Sequence, residues 1–489
     1  MSQPSPRPPH GAPRPPQVWD TSFHQHRTAP PGFGPAPQAF TQPAGSSGEG
    51  GDGGRRGPRR KALVIGLALL LVAGAGTGGW LLWGRDGHRP APAKKPAARS
   101  VDAKLDWMAE VPDADKDSVT RMSRPWFVKN TVVLSTKKAV TAYDADSGKP
   151  GWTVEVPGTA CKASPAASDG VAAVVYGEQE YLCDSLMVVD VEHGRVLWKK
   201  KLLNAKGLSG PHDLATLTVD RGLVTVADVG GDPLVYAAAD GKQQTPKDYG
   251  CQERGTVVAR ARQLTVVECQ LFGRQFVMNV DQKTGTEKWT WKVPDGLAVQ
   301  NVISIEPAVL AMGRENDTSP TEIVSLDDKG RLKTLVAVSS GPYEVQDCYK
   351  NDWLTCRKVV VDGDTAYLAT HNERVTDDGA SPNAIVAVDL NTGKQRWNVP
   401  LGGTRGNRPL TMEDGKLLVY QQATRDESGK LLALDPADGS SSVYMKLPQE
   451  SAERELALAR FGSAYFHDGR FYLVTDQGMS DKAMMMAFR

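Results

Sequence analysis

The stretch Ala387-Val388-Asp389-Leu390-Asn391-Thr392-Gly393-Lys394-Gln395-Arg396-Trp397 decides the fold. The apolar run Ile385-Val386-Ala387-Val388 leads into it and reads as a short strand. Asp389 suits a turn because its carboxylate can hydrogen-bond the following backbone, and Gly393 supplies the positive φ that the turn needs. A second strand then carries Trp397, a side chain large enough to pack against a neighbouring unit.

The same Asp, Gly and Trp, four positions apart at each step, recur as Asp144-Gly148-Trp152, Asp190-Gly194-Trp198 and Asp281-Gly285-Trp289. Weaker copies keep the glycine at Gly241, Gly330 and Gly439. Successive glycines are 46, 47, 44, 45, 63 and 46 residues apart. A period of this length means one supersecondary unit repeated. Short apolar runs such as Val132-Val133-Leu134, Val171–Val175 and Leu264–Val267 fill each unit. About four short strands per ~45 residues is the arithmetic of a propeller blade.

Ring closure is also testable in the sequence. Trp107-Met-Ala-Glu-Val-Pro112 copies the spacing of Trp152–Pro157 and Trp289–Pro294, yet no inner strands precede it. At the far end, Phe471–Val474 and Met484–Phe488 supply inner strands with no outer strand after them. The two chain ends therefore complete one blade. Seven glycine-marked blades plus this composite make eight, and closure hides sheet edges that would otherwise aggregate.

Ala387–Trp397 closely resembles the tryptophan-docking repeat of PQQ-like (quinoprotein) β-propellers, and the resemblance covers about residues 104–489. It implies an eight-bladed, all-β propeller with four-stranded blades, in agreement with the count above. That family includes PQQ-dependent alcohol and glucose dehydrogenases. It also includes non-enzymatic scaffolds similar to BamB, the propeller of the outer-membrane barrel assembly machinery. Blade identity does not choose between them. In either case Trp107, Trp152, Trp198, Trp289 and Trp397 read as blade-docking residues.

The cysteines follow the repeat. All six (Cys161, Cys183, Cys251, Cys269, Cys348 and Cys356) lie beyond residue 160, an even number that suggests disulfides in an exported domain. Six cysteines allow 15 pairings. Cys161 and Cys251 precede their blade glycines by 33 and 34 residues, so they occupy equivalent positions, and Cys183 and Cys269 fall within the same two blades. Cys348 and Cys356 lie in the 63-residue interval, about 17 residues longer than its neighbours. The expected pairs are 161–183, 251–269 and 348–356, each tethering a loop at typically ~2–4 kcal/mol.

The segments ahead of the repeat differ in kind. Residues 1–61 form a Pro/Gly-rich tail; positions 1–60 hold 13 Pro and 10 Gly and few aliphatic side chains to offset ordering entropy, so the tail is expected to be disordered. Pro4–Pro9 and Pro13–Pro16 are compatible with polyproline II ligands. Residues 62–83 contain no charge and are long enough for one transmembrane helix. Arg55, Arg56, Arg59, Arg60 and Lys61 precede this span and mark the cytoplasmic side, although five basic residues also follow it before residue 100. A cleavable signal peptide is disfavoured by the sixty residues ahead of the apolar stretch. The expectation is an uncleaved signal-anchor in the plasma membrane: tail inside, linker 84–103, then an extracytoplasmic propeller over 104–489.

Charge excludes one class of partner. The chain totals +1, but residues 1–100 carry +9 and residues 101–489 carry −8. Nucleic-acid binding needs clustered Lys and Arg to neutralise phosphates, so an acidic repeat region argues against it.

Motifs for chemistry are scarce. A quinoprotein site needs a calcium ion, an Asp base and cations for the cofactor's carboxylates. The adjacent-cysteine disulfide of the family's alcohol dehydrogenases has no counterpart. Asp113-Ala-Asp115-Lys-Asp117-Ser118 starts like a calcium loop but lacks its glycine and closing glutamate. His193, His212, His371 and His467 show no ligand spacing. No catalytic, metal or cofactor-binding residue is therefore assigned, and no cofactor is expected. The sequence reads as a binding or scaffold module for a protein or cell-envelope ligand. The alternative is a PQQ-dependent oxidoreductase with a degenerate site. The insert Asn372–Gly379, with Cys348–Cys356 in the same enlarged blade, is the first place to seek a partner surface.

Overall fold

The computed structural model describes residues 101–489 except 111–122, 179–182, 203–213, 229–232, 246–249, 260–261, 270–272, 282–283, 285, 315–316, 318, 346–347, 349–355, 357–358, 372–381, 403–405, 461 and 477–482. The chain divides into two units, Met1–Lys94 and Lys95–Arg489. The tail, the span over 62–83 and the calcium-like stretch 113–118 lie outside the described residues. Among the described residues no helix is long and apolar enough to cross a membrane.

The described strands form eight four-stranded antiparallel sheets. We number them as blades 1 to 8: 126–155, 159–201, 214–244, 252–292, 298–337, 359–400, 407–446 and 462–488. Within each of the first seven, strand order follows sequence order. The eighth is composite: Leu105–Glu110 pairs antiparallel with Ala483–Phe488, so Trp107 lies opposite Ala487. Phe488 is fully buried there, and Arg489 N–H donates to the Lys104 carbonyl at 2.9 to 3.1 Å in a reciprocal pair. The N-terminal strand thus supplies the outer edge that the C-terminal strands lack.

One feature departs from the all-β expectation. Among the described residues one α-helix, Ala452–Arg460, preceded by a 3₁₀ turn at Gln449–Ser451, joins blades 7 and 8. The residues just before the first strand also leave the expected linker: Ala103 N–H donates to Lys446 O at 2.8 Å, and Lys446 N–H donates to Val101 O at 2.6 Å. This short parallel addition covers part of the outer edge of blade 7.

The core lies between blades rather than at one centre. One apolar cluster joins Val133, Val140 and Val154 of blade 1 to Ala172, Met187 and Val189 of blade 2. Another joins Tyr367 and Trp397 of blade 6 to Leu417 and Leu434 of blade 7. A sheet buried on both faces needs apolar side chains at successive positions, which is why Ser185–Asp190 and Ala308–Gly313 are buried throughout.

Strand polarity gives the ring two unlike faces. At one face lie the turns between first and second strands and between third and fourth. In blades 3, 7 and 8 the former is a two-residue turn, Arg221-Gly222, Asp414-Gly415 or Asp468-Gly469, with φ from +46° to +77°. Positive φ at both positions matches the twist of the flanking strands. The other face carries the connections between second and third strands and from each blade to the next.

Candidate functional site

The predicted docking residues meet the predicted glycines, one blade along. A Cβ built on Gly194 of blade 2 would lie 2.3 Å from Trp152 of blade 1, too close for any side chain. Gly148 stands in the same relation to Trp107, Gly241 to Trp198, Gly330 to Trp289 and Gly439 to Trp397, at 2.5 to 2.9 Å. The indole N–H of Trp107 donates to Ala145 O, that of Trp198 to Ala238 O and that of Trp397 to Pro436 O, at 2.8 to 2.9 Å. Each acceptor lies three residues before its glycine. The indole therefore covers the turn of the next blade and ties it down.

Asp at the turn start holds the same loop from within. Asp389 Oδ1 accepts the N–H groups of Asn391 and Thr392 at 2.9 Å, and its Oδ2 accepts from Arg396. Arg396, outweighing a modest burial cost, and the two backbone donors hold the Asp389 carboxyl down at about 2. Asp281 is lowered for the same reason, with the Thr284 N–H first. These carboxylates are engaged in turn structure.

The disulfides form in the expected pairs, Cys161–Cys183, Cys251–Cys269 and Cys348–Cys356. Their placement is a result that pairing alone did not give. Cys161 lies in the first strand of its blade and Cys251 just before one; Cys183 precedes a third strand and Cys269 ends a second. Cys348 and Cys356 lie in the connection from blade 5 to blade 6. All three bridges therefore belong to the face opposite the Asp-Gly turns. The extra length of the 63-residue interval belongs there too, split between connections 338–358 and 370–383. The insert 372–379 falls in the second of these and lies outside the described residues.

The innermost strands and the residues just ahead of them line a partly open cavity of about 170 Å³. Arg124 precedes the first strand of blade 1, Val359 opens that of blade 6, Arg408 is second in that of blade 7, and Ser463 is second and Tyr465 fourth of the six residues in that of blade 8. Cys356 also borders it. The cavity therefore lies among the first strands of the ring, with Val359, Arg408 and Ser463 near the strand ends that belong to the disulfide-bearing face and Ile303, Leu410 and Tyr465 further along. The Ser463 hydroxyl donates to Asp476 at 2.9 Å. In the amide orientation that satisfies both groups, Gln422 Oε1 accepts from Arg408 Nε and Nη2, both at 2.9 Å. Sequence reasoning gave neither arginine a functional role, because no local motif marks them. Among the described residues no group of three or more His, Cys, Asp or Glu could hold a metal ion.

Eight four-stranded blades, a shared closing blade and a Trp-on-Gly clasp between neighbours define a PQQ-like β-propeller. The family described as outer membrane protein assembly factor BamB matches residues 107–265, 183–443 and 381–485, and this chain belongs to it. Similar solved structures include BamB from Moraxella catarrhalis, 13% identical over 78% of this chain and 98% of that one, with a TM-score of 0.45. Quinohemoprotein alcohol dehydrogenase from Comamonas testosteroni is 13% identical over 79% of this chain and 76% of that one, with a TM-score of 0.46. The computationally designed Ika8 protein is 11% identical over 79% and 99%, with a TM-score of 0.46. No curated protein matches the sequence.

Proposed function

We propose that the chain is a membrane-anchored, extracytoplasmic propeller that acts without catalysis as a binding or scaffold module, engaging a protein or cell-envelope ligand through its disulfide-bearing face. The observation that carries this reading is the asymmetry of the two faces. One is built from tight turns whose polar groups are committed to each other. The opposite face carries all three disulfides and both long connections of blade 6. Loops on a rigid repeat scaffold are where binding residues concentrate. Three disulfides fit an oxidising compartment, in line with the apolar span read at 62–83. Membership of a family described as an assembly factor supports the same reading.

A calcium-supplemented PQQ titration of the full chain tests the non-catalytic part, following tryptophan quenching and dye reduction over alcohols and sugars. The expected result is no saturable quenching and no turnover. Saturable binding with turnover would replace this reading with the oxidoreductase one.

A further inference from the structure

We propose that the outer edge of blade 5, the strand Leu332–Ala337, is a docking site for an extended segment of another protein, which adds to the sheet as a further strand and covers Leu332 and Leu335 with apolar side chains. Leu332–Ala337 ends its sheet, so among the described residues no strand pairs with the outer side of its backbone. An open edge of this kind is a template for strand addition, and proteins protect it with charge, with a short strand or with a cover.

The other edges of the ring carry those protections. Exposed charges stand on the outer strands at Glu155 in blade 1, Lys199–Lys201 in blade 2, Lys288 and Lys292 in blade 4, Arg396 in blade 6 and Glu110 in blade 8. The outer strand of blade 3 is short, Gln243–Gln244. Part of the blade 7 edge is covered by the chain itself, through the parallel bridge of Asp102 to Lys446. Blade 5 has none of these. The one charged residue of its edge strand, Lys333, is turned to blade 6, where its Nζ donates to Asp364 Oδ1 at 2.9 Å.

This edge is apolar instead. Leu332 is 50% and Leu335 45% exposed. In blades 1, 2, 4 and 6 the position equivalent to Leu335, next after the docking tryptophan, holds Thr153, Lys199, Thr290 or Asn398. Leu335 lies opposite Val324 and Leu332 opposite Leu326, so both leucines stand on the sheet face that packs on blade 4 and extend its buried cluster to the rim. Among the described residues the other large exposed apolar side chains are Val101 and Val443. Both belong to the blade 7 edge, Val101 in the added segment and Val443 in the strand that receives it. Exposed apolar residues thus mark two edges of the ring, and one of the two already holds an added strand.

Size favours a strand over a second copy of the chain. An edge strand of six residues at ~3.3 Å each, on a face about 10 Å deep, offers roughly 200 Å². A stable protein–protein interface needs about 800 Å² per partner, so a dimer through this edge alone falls well short. An added strand gains main-chain hydrogen bonds along its whole length, with side-chain contacts setting specificity. The site lies on the rim, so it does not rest on the reading of the disulfide-bearing face.

Titration of a fluorescein-labelled peptide of alternating Thr and Val, as long as the edge strand, with the full chain tests the site by fluorescence anisotropy. Saturable binding is expected, weakened about tenfold or more in Leu335→Lys, which removes one buried leucine and desolvates a charge. Thr153→Lys, exposed on the blade 1 edge, should leave the affinity unchanged. A peptide with proline at two adjacent central positions should not bind, because one of the two then lacks a donor that the ladder needs. Absence of saturable binding, equal affinity in wild type and Leu335→Lys, or equal binding of the proline peptide overturns the proposal. So does a dimer of the full chain in sedimentation that Leu335→Lys dissolves, since the edge would then belong to a second copy.

Discussion

At the scale of single residues, the seams between blades are governed by an exclusion. Trp152 fills the space that a side chain at Gly194 would need, and Gly194 sits at φ +66°, where any other residue is strained. Gly194→Ala is therefore expected to lose roughly 2–4 kcal/mol, combining left-handed strain with overpacking. Trp152→Ala leaves a void at the seam and costs roughly 3 kcal/mol. The double variant should be more stable than the sum of the two by about 1 kcal/mol or more, because the clash disappears with the indole. Urea midpoints of the four proteins measure this; strict additivity would show that the two residues do not meet. This clasp was legible in the sequence at Trp107, Trp152, Trp198, Trp289 and Trp397. Where the tryptophan is missing, the structure gives a reason in two cases. Thr334 occupies the docking position against Gly393, with its hydroxyl 2.7 Å from where a Cβ would be. Val443 precedes blade 8, whose third and fourth strands are joined by no turn at all, only by the two chain ends.

At the scale of elements, the strands were readable and the helix was missed. Ala452-Glu-Arg-Glu-Leu-Ala-Leu-Ala-Arg460 consists of good helix formers with acidic residues in the first turn, a signal that the repeat pattern masked. What fixes it is tertiary. Glu455 is fully buried, its Oε2 accepts the Gly429 N–H at 2.8 Å, and its other oxygen accepts the Ser451 hydroxyl. Burial raises the carboxyl above its ordinary range, against the pull of those two donors. A raised folded value means that this group's contribution is fully present below the ordinary glutamate range and is lost as pH rises through the raised value. Glu455→Gln, neutral at every pH, should therefore resist urea better than wild type near about pH 8, with the gap closing near about pH 4. Glu455→Ala strands the Gly429 N–H and should cost about 1–3 kcal/mol at both. A Gln variant less stable than wild type at the higher pH would contradict a raised carboxyl. The long blade-6 interval was visible as a count, but its division into two connections on one face depends on strand polarity and could not be counted.

At the scale of the whole molecule, eightfold closure was legible because both chain ends carry incomplete fragments of one repeat. The structure adds how the closing blade is fastened. Arg470, 5% exposed at its side chain, donates to Asp106 of the N-terminal strand at 3.1 Å and to Asp146 of blade 1, so one buried guanidinium joins three segments distant in sequence. The cavity among the inner strands escaped sequence reading for the same reason. Arg124 and Arg408 come from blades far apart along the chain and become neighbours only when the ring closes. The partner surface, in contrast, rests on the inequality of the two faces. The most direct measurement places a photo-crosslinking amino acid at Thr376, in the insert reached from the disulfide-bearing face, and at Lys394, exposed beside an Asp-Gly turn on the other, in the full chain in intact cells. A discrete adduct at Thr376, absent at Lys394 and lost when residues 372–379 are replaced by a Gly/Ser linker of equal length, is the predicted result. An adduct at Lys394 alone, or the same adduct at both positions, would contradict the assignment of binding to the disulfide-bearing face.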